Sequence, residues 1–305
     1  MDGPSVRKRI LAVGDVNIDI VFTGLAGMPV PEQETLAQGM DIVVGGQAGT
    51  TARAMARLGW DVTFAGRVGD DDFGRQARHA LVAAGVDIGG LVVDPALRTG
   101  ATVVLSTGTR RAFATFPGSI AEVRLSDVTP ALLSGADHLH VGSFFLLTAL
   151  RQDMPELLQE ARRRGLTTSM DPGWDPRRKW GKDLRAMLSS VDVFLPNEAE
   201  AMAITSARTP EKALAALSGD ARTVVVKRGA EGCLAGNGKT ALRCPAFKVK
   251  AVDVTSAGDI FNAGFLHGSL HGWGLEESMR FAGACGAISV CRAGSAGIMT
   301  GVEQV

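Results

Sequence analysis

Tyrosine is absent from this 305-residue sequence, and net charge is absent too, because 32 basic side chains balance 32 acidic ones. The lack of tyrosine counts against a surface that stacks single-stranded nucleic acid. The lack of net charge removes the long-range field that attracts nucleic acid or an anionic membrane. An anionic ligand remains compatible, since a few local groups and backbone amides suffice to bind phosphate. We therefore expect a small-molecule partner, with no nucleic acid and no membrane.

Cysteines are few, and long apolar runs are missing. The four cysteines show no CxxC spacing, which favours ordinary reduced thiols over a disulfide framework or a zinc site. The amino-terminal segment interrupts its apolar residues with Gly, Asp and Asn, which makes it a poor signal peptide. No later stretch is long enough to cross a bilayer. These features predict a cytoplasmic protein.

Two common nucleotide-binding patterns are also missing. The sequence has no GxxxxGK[ST], which counts against a P-loop nucleoside triphosphatase. It has no GxGxxG after a predicted strand, which counts against a nicotinamide-binding Rossmann domain. Glycine itself is abundant, at 38 residues, and clusters where a backbone would have to approach a ligand closely.

Short apolar runs alternate with helical patterns along most of the chain. Strands that alternate with helices of this length indicate a mostly parallel sheet with helices on both faces. We therefore predict one α/β domain that spans residues 1–305. The predicted strands are 10–14, 61–65, 138–141, 167–170, 193–195 and 223–226, and the predicted helices are 47–59, 73–85, 154–164 and 210–217.

The middle of the chain breaks this rhythm. Residues 102–105 and 112–116 are β-type runs separated by a polar turn, which is the pattern of an antiparallel hairpin. Residues 18–22 and 40–44 would supply further strands beside it. We therefore predict a small β-sheet appendage on the single domain, contributed by about 18–44 and 98–118.

The most informative stretch is Asp-Val-Thr-Ser-Ala-Gly-Asp, which ends at Asp259. A β-type run precedes it and an apolar helical segment follows, so Ser256, Ala257 and Gly258 would open that helix. Unpaired N–H groups at a helix start make a site for phosphate oxygens. A carboxylate beside that anion needs a task, and accepting a proton from a hydroxyl that attacks the γ-phosphate is such a task. Simple helix capping by Asp259 is the alternative explanation.

Two other segments place polar side chains where a ligand would fit. Gly45 and Gly46 let backbone amides approach a ligand, while Gln47 and Thr50 offer directional hydrogen bonds. A tight strand-to-helix turn is the alternative, and it explains the glycines but not the polar side chains. The segment Gly-Asp-Val-Asn-Ile-Asp at 14–19 places its polar side chains on one face of a strand. That row suits vicinal hydroxyls, although exposed strand residues would show the same pattern.

Together these segments resemble the ribokinase-like (PfkB) carbohydrate kinase family over nearly the whole chain. In order, they resemble the family's first substrate strand, its amino-terminal signature, its NxxE element, the strand and turn along the nucleotide, and the carboxy-terminal signature with a GAGD core. An ordered set of matches is far more specific than any one of them. The matching residues are 14–19, 45–59, 66–74, 197–200, 227–232 and 252–264.

The resemblance implies an ATP-dependent kinase that transfers the γ-phosphoryl group to a hydroxyl of a small sugar or sugar-like metabolite. Asp259 would be the general base. The amides of Ala257 and Gly258, together with Ser256, would stabilise charge on the transferring phosphoryl group. The residues that would hold the acceptor's hydroxyls are Asn17, Asp19, Gly45, Gly46, Gln47 and Thr50.

The same resemblance implies ATP and Mg²⁺ as cofactors. Glu200, with Asn197, would position Mg²⁺ through water. Asp253, with carbonyls near 289–295, lies where many relatives bind a monovalent cation such as K⁺. The residues that would contact the nucleotide are Asn197, Lys227, Gly229, Gly232 and Thr255. The β appendage corresponds to the family's lid, which covers the sugar and excludes water, and through which we expect a homodimer.

Two residues depart from the family's pattern. Thr50 stands where the family usually has Asn, so a hydrogen bond to the substrate is shortened or lost. Ser256 stands where Gly is commonest, a change that we expect the activity to tolerate. Thr50 therefore leaves the identity of the acceptor open, whereas the predicted reaction stays the same.

Two other functions remain as alternatives. A nucleoside kinase of the same fold would need a slot for the base, and a catalytically silent sensor would bind a ligand without needing Asp259 or the NxxE element. Phosphosugars are disfavoured as acceptors, because no basic cluster stands near the acceptor segments. The aromatic residues that would form a base slot are Phe22, Phe113, Phe116, Phe144 and Phe145.

Overall fold

The computed structural model of the protein describes residues 8–107, 110–291 and 305. Its strands are β1 (Arg9–Val13), β2 (Asn17–Thr23), β3 (Gly39–Gly45), β4 (Asp61–Gly69), β5 (Asp87–Asp94), β6 (Ala101–Ser106), β7 (Arg111–Phe116), β8 (His138–Val141), β9 (Thr167–Met170), β10 (Val193–Phe194), β11 (Thr223–Lys227), β12 (Cys233–Gly236) and β13 (Ala241–Cys244). Its α-helices are α1 (Gln47–Arg57), α2 (Asp72–Ala83), α3 (Pro130–Ser134), α4 (Met154–Arg163), α5 (Lys182–Met187), α6 (Glu198–Thr205), α7 (Pro210–Leu217), α8 (Ala257–Leu270) and α9 (Leu275–Val290).

The main sheet has nine strands in the order β13-β12-β11-β10-β9-β8-β1-β4-β5. The strands from β11 to β5 in this order pair in parallel, while β12 pairs antiparallel with both of its neighbours. Parallel strands place their carboxyl ends at one edge, where the loops of α/β proteins bind ligands. The predicted mostly parallel sheet is confirmed.

Alternate residues of β1 enter two hydrophobic cores, one on each face of the main sheet. Leu11 and Val13 pack in a core with side chains of α3 to α7, whereas Ile10 and Ala12 pack in a core with α1, α2, α8 and α9. Successive side chains of a strand point to opposite faces, so a strand buried on both faces is apolar throughout. The predicted helices on both faces are therefore also confirmed.

A smaller sheet has four strands in the order β3-β2-β6-β7. β2 pairs antiparallel with β3 and parallel with β6, and β6 and β7 form the predicted antiparallel hairpin. Its two faces differ in character. One carries Asp19 and Thr102, and the other carries apolar side chains that include the exposed Met40 and Ile42.

The segment that leads into α8 differs from the sequence prediction. Residues 245–256 form no strand, although a β-type run was expected just before residue 252. The amides of Val252 and Asp253 instead donate to the carbonyl of Val290 at the end of α9. The segment therefore bonds to a helix end rather than to a sheet edge. Among the described residues, no helix is long and apolar enough to cross a membrane.

Candidate active site

The site is built on the first turn of α8. Ser256 precedes the helix in a left-handed conformation, with φ of 60°, which a residue other than glycine adopts at a cost of about 1 kcal/mol. Glycine would adopt this backbone without that cost. The amides of Asp259 and Ile260 donate to the carbonyl of Ser256, and the amide of Ala257 makes a long bond, 3.4 Å, to that of Val254.

The amide of Gly258 is the free donor of this turn, because it has no hydrogen-bond partner among the residues that the structure describes. The sequence predicted an anion hole from the amides of both Ala257 and Gly258, and only the second is unengaged here. A Cβ atom at Gly258 would lie 3.7 Å from Nζ of Lys227, so an ammonium group lies close to this residue. The two donors together make a strong local site for an anion.

Lys227 holds its ammonium in a hydrogen-bonded triangle. Its Nζ donates to Oδ2 of Asp171 at 2.5 Å and to Oδ1 of Asn262 at 3.0 Å. The amide nitrogen of Asn262 closes the triangle by donating to Asp171 Oδ2 at 2.6 Å. Burial alone would lower the pKa of Lys227, but the carboxylates of Asp171 and Glu200 raise it above its ordinary value. Lys227 is therefore a cation at neutral pH, and it lies close to the first turn of α8.

Asp171 and Asn262 were missed by the sequence prediction, although each had a signal. Asp171 follows β9 directly, at the carboxyl edge of the parallel sheet where ligands bind. Asn262 lies one helical turn after Asp259, so it shares a face of α8 with it.

Asp259 lies where negative charges converge. Burial first, and then the carboxylate of Asp171, raises the pKa of Asp259 well above its ordinary value, while Lys227 acts in the opposite direction. Asp15 and Asp19 add smaller effects that raise this pKa. A carboxylate whose pKa is raised is a stronger base than an ordinary aspartate, which suits proton abstraction near neutral pH.

The NxxE element forms the start of α6. Asn197 Oδ1 accepts from the amide of Glu200 at 2.9 Å, and Glu200 Oε2 accepts from the amide of Asn197 at 2.8 Å, which is a capping box. The backbone also joins this element to Lys227, whose amide donates to the carbonyl of Pro196. Burial first, and then Asp171, raises the pKa of Glu200 to about 7. Its Oε1 has no hydrogen bond to a described residue, and one free carboxylate oxygen fits Mg²⁺ that is otherwise held by water and phosphate.

On the acceptor side, Asn17 and Asp19 meet at the start of β2. Asn17 Nδ2 donates to Asp19 Oδ1 at 2.7 Å and to Thr102 Oγ1 at 3.2 Å. Burial raises the pKa of Asp19 to about 6. A Cβ atom at Gly45 would collide with the Asp19 carboxylate, and Gly46 has φ of 91°, so these two positions need glycine.

Gln47 connects the segment at the start of α1 with Ser143 and Asp171. Its Oε1 accepts from the backbone amide and the hydroxyl of Ser143, both at 2.9 Å. Its Nε2 donates to Asp171 Oδ1 at 3.4 Å. The Gln47 side chain therefore lies next to the hydrogen-bonded triangle of Lys227, Asp171 and Asn262.

Thr50 is placed differently from the expectation. Its side chain is fully buried, and its hydroxyl accepts from Nη2 of Arg53 at 3.1 Å. The Thr50 side chain is therefore enclosed within the fold and is not presented to a ligand. Arg53 itself had been overlooked, because a charged residue in a helical pattern is ordinarily assigned to solvent.

The remaining predicted residues lie in the turn between β11 and β12 and in the segment before α8. Gly229 and Gly232 form the turn between β11 and β12, and no hydrogen bond within the described residues links them to the start of α8. Asp253 accepts from the amide of Thr255 at 2.8 Å. Of the carbonyls near 289–295 proposed for a cation, that of Val290 is bonded to amides, and residues 292–295 lie outside the described residues.

The aromatic residues expected to form a base slot are mostly elsewhere. Phe144 and Phe145 are buried in a core of the main sheet. Phe116 is exposed and lies in the row of Ala101, on the face of the smaller sheet opposite Asp19. Phe22 lies on that same opposite face, and Phe113 shares the face of Asp19.

Comparison with known proteins bears on this arrangement. The sequence matches "pfkB family carbohydrate kinase" over residues 7–300. The chain belongs to the pfkB family. This pfkB chain is 31% identical over 289 residues to an "ATP-dependent ribose-1-phosphate kinase" of Halopiger xanaduensis, covering 94% of this chain and 93% of that one. It is 27% identical to a "Ribokinase" of Haemophilus influenzae, covering 95% and 94%.

Solved structures show the same fold. The pfkB chain matches a "putative Ribokinase II" of E. coli with a TM-score of 0.85, at 24% identity and covering 98% and 97% of the two chains. It matches a "Ribokinase" of Thermotoga maritima with a TM-score of 0.81, at 28% identity and with the same coverage. The predicted family and ribokinase-like fold are confirmed. The protein is an enzyme, a carbohydrate kinase that transfers a phosphoryl group to an alcohol.

Proposed function

We propose that the protein transfers the γ-phosphoryl group of ATP to a hydroxyl of a small sugar, with Asp259 as the general base. The observation that carries this proposal is the first turn of α8, where Gly258, with its free amide, lies close to the ammonium of Lys227 and is followed directly by Asp259. A donor pair for a phosphate next to a base for a hydroxyl is what in-line phosphoryl transfer requires.

The chain's own residues divide the work. Asn17, Asp19 and Gln47 hold the acceptor's hydroxyls so that one of them points at Asp259, which takes its proton as the new P–O bond forms. Gly258 and Lys227 hold the oxygens of the transferring group, whose negative charge they stabilise. Mg²⁺, positioned by Glu200 through water, would neutralise charge on the nucleotide's phosphates. A K⁺ requirement through Asp253 stays part of the proposal, to be tested by omission of the ion.

A sugar is favoured over a nucleoside by the character of the acceptor side. Carboxylate and amide groups line it at Asp19, Asn17 and Gln47, and these suit hydroxyls. Two of the aromatic residues that a nucleoside's base would need, Phe144 and Phe145, are enclosed in the core. A nucleoside kinase is therefore the second candidate, after the sugar kinase.

We further propose that the residues act as one domain, 1–305, in which the smaller sheet is a lid and the surface of a homodimer. Arg111 of β7 donates from Nη1 to Thr255 Oγ1 at 3.4 Å, so this sheet already contacts the loop before α8. Its far face exposes Met40, Ile42 and Phe116, which are 56%, 48% and 55% exposed, and a second copy would cover them. Ile42→Glu should convert a dimer to a monomer in size-exclusion chromatography with light scattering. A wild type that is monomeric contradicts this.

A cytoplasmic location is proposed because ATP is the phosphoryl donor. The four cysteines are free thiols, which agrees with a reducing compartment.

The test measures ADP release from MgATP, with and without K⁺, against sugars, sugar acids and nucleosides. Asp259→Asn should abolish acceptor-dependent release, because the amide cannot accept the proton. Asp72→Asn is the matched control, since this aspartate is exposed at the start of α2 and should leave the rate unchanged. Ligand binding without any phosphoryl transfer above the Asp259→Asn background would favour the silent sensor instead.

A further inference from the structure

Arg53 is a buried arginine on α1 that the proposed mechanism does not use. Arg53 is 4% exposed, and arginine is almost never buried to this degree unless it is paired. Nη2 donates to the carbonyl of Val44 at 2.6 Å and to Thr50 Oγ1 at 3.1 Å, and Nε makes a longer bond, 3.4 Å, to the carbonyl of Gly49. Neutral oxygens therefore fix one side of the guanidinium in place.

The other side of the guanidinium is unengaged. Nη1 has no hydrogen bond and no ion pair with any residue in the part of the chain that the structure describes. Burial lowers the pKa of Arg53 to about 10, and the carboxylates of Asp259 and Asp19 partly offset this effect. Arg53 is thus a cation at neutral pH, and its bonds to Val44 and Thr50 hold it beside Gly45 and Gly46, two of the residues predicted to bind the acceptor.

The position of Arg53 connects it with Thr50. The family signature usually has asparagine at 50, whose amide would reach the substrate, but Thr50 is fully buried and its hydroxyl is occupied by Arg53. An asparagine side chain offers both donors and an acceptor, whereas a guanidinium offers donors only. The exchange therefore changes which substrate atoms can be recognised.

We propose that Arg53 replaces the signature asparagine as an acceptor-binding residue, and that Nη1 donates to an oxygen of a neutral monosaccharide. A neutral sugar is preferred over a phosphosugar because the carboxylates of Asp19 and Asp259 interact with the single positive charge of Arg53 and would repel a phosphate. This inference rests on the proposed function and names the substrate class of the same site.

The experiment combines variants of the enzyme with variants of the substrate. The probes are D-ribose and D-fructose, their deoxy, anhydro and carbocyclic analogues, and ribose 1-phosphate. Arg53→Met should lower kcat/KM for the better neutral sugar by about 10- to 100-fold, the loss expected for a charge-assisted hydrogen bond. Arg57→Met on the same helix is the matched control, because Arg57 is exposed and bonds to the carbonyl of Ala83.

The decisive readout is the penalty for each missing oxygen. In the wild type, one analogue should lose at least about tenfold in kcat/KM because it lacks the oxygen that Arg53 contacts. In Arg53→Met that single penalty should fall below about threefold, while the penalties for the other analogues stay the same. A merely structural arginine would lower all rates together and leave every penalty unchanged. Should Arg53→Met fail to fold, Arg53→Lys supplies the same comparison with the charge retained.

Three outcomes overturn the inference. Penalties that are identical in wild type and variant show that Arg53 does not contact the acceptor. Ribose 1-phosphate as the best acceptor, with its advantage lost in Arg53→Met, shows that Arg53 binds phosphate. A wild type that phosphorylates none of the panel overturns the proposed function and this inference with it, whereas an active wild type without the selective change overturns this inference alone.

Discussion

Replacing Lys227 with methionine separates the contribution of its ammonium to the fold from its contribution to the reaction. The Lys227 side chain is 11% exposed and that of Asp171 is fully buried, so the two form a buried ion pair. Removing one partner leaves an uncompensated buried charge, which costs about 3 to 5 kcal/mol. We expect Lys227→Met to lower the free energy of unfolding by about that amount in urea titrations, while the exposed Lys212→Met leaves it unchanged.

The same change should lower kcat. The ammonium lies close to Gly258, where the transferring phosphoryl group would be held. Loss of one preorganised donor of this kind typically lowers kcat by about 10²- to 10³-fold. Because Lys227 lowers the pKa of Asp259, its removal should also move the acidic limb of the pH–rate profile to higher pH.

The double variant Lys227→Met/Asp171→Asn decides between the two roles. It removes both charges, so most of the lost stability should return. ADP release at saturating substrates should remain as low as in Lys227→Met. If kcat returns together with stability, Lys227 acts through the fold alone, and its place beside the phosphoryl group is wrong.

Three further predictions concern single side chains. Gly45→Ala brings a Cβ atom against the Asp19 carboxylate, so KM for the acceptor should rise at least about tenfold while KM for ATP stays constant; equal rises would contradict the acceptor role of Asp19. Glu200→Gln keeps the cap of α6 but cannot ionise. Since the folded pKa of Glu200 is raised from 4.5 to about 7, its contribution to stability is present below pH 4.5 and is lost as pH rises through 7. Wild type should lose up to about 3 kcal/mol relative to this variant between pH 4.5 and 8, and a difference that is flat with pH refutes this. Ser256→Gly should raise the free energy of unfolding by up to about 1 kcal/mol by removing left-handed strain, and a fall in stability would contradict that geometry.

Much of the fold could be predicted because its strands are buried on both faces and its helices are amphipathic. The run at 223–226 lies within β11, since a doubly buried strand leaves an uninterrupted apolar signal, here three fully buried valines. The run before residue 252 was also predicted to be β-type, but it forms no strand. The amides of Val252 and Asp253 that follow it bond to the carbonyl of Val290, a contact between distant residues that no local pattern contains.

The site could be predicted only where one segment carries several of its residues. Asp259 and Gly258 lie in one motif, and Asn17 and Asp19 lie in another. Asp171 stands alone after its strand and joins the site only because β9 and β11 flank β10 in the sheet. Arg53 is buried because a strand of the smaller sheet covers α1, which the periodicity of the helix cannot reveal.

The connection between β1 and β2 has a consequence for how acceptors are ranked. β1 belongs to the main sheet and β2 to the smaller one, and only residues 14–16 join them. Asn17 and Asp19, which are proposed to bind the acceptor, lie on β2. Any movement of the smaller sheet therefore moves these two side chains with it. The apparent affinity for a sugar is then its intrinsic affinity multiplied by the fraction of molecules in the closed state. Substitutions in this connection would weaken good and poor acceptors by one common factor, whereas substitutions of Asp19 would change their order of preference.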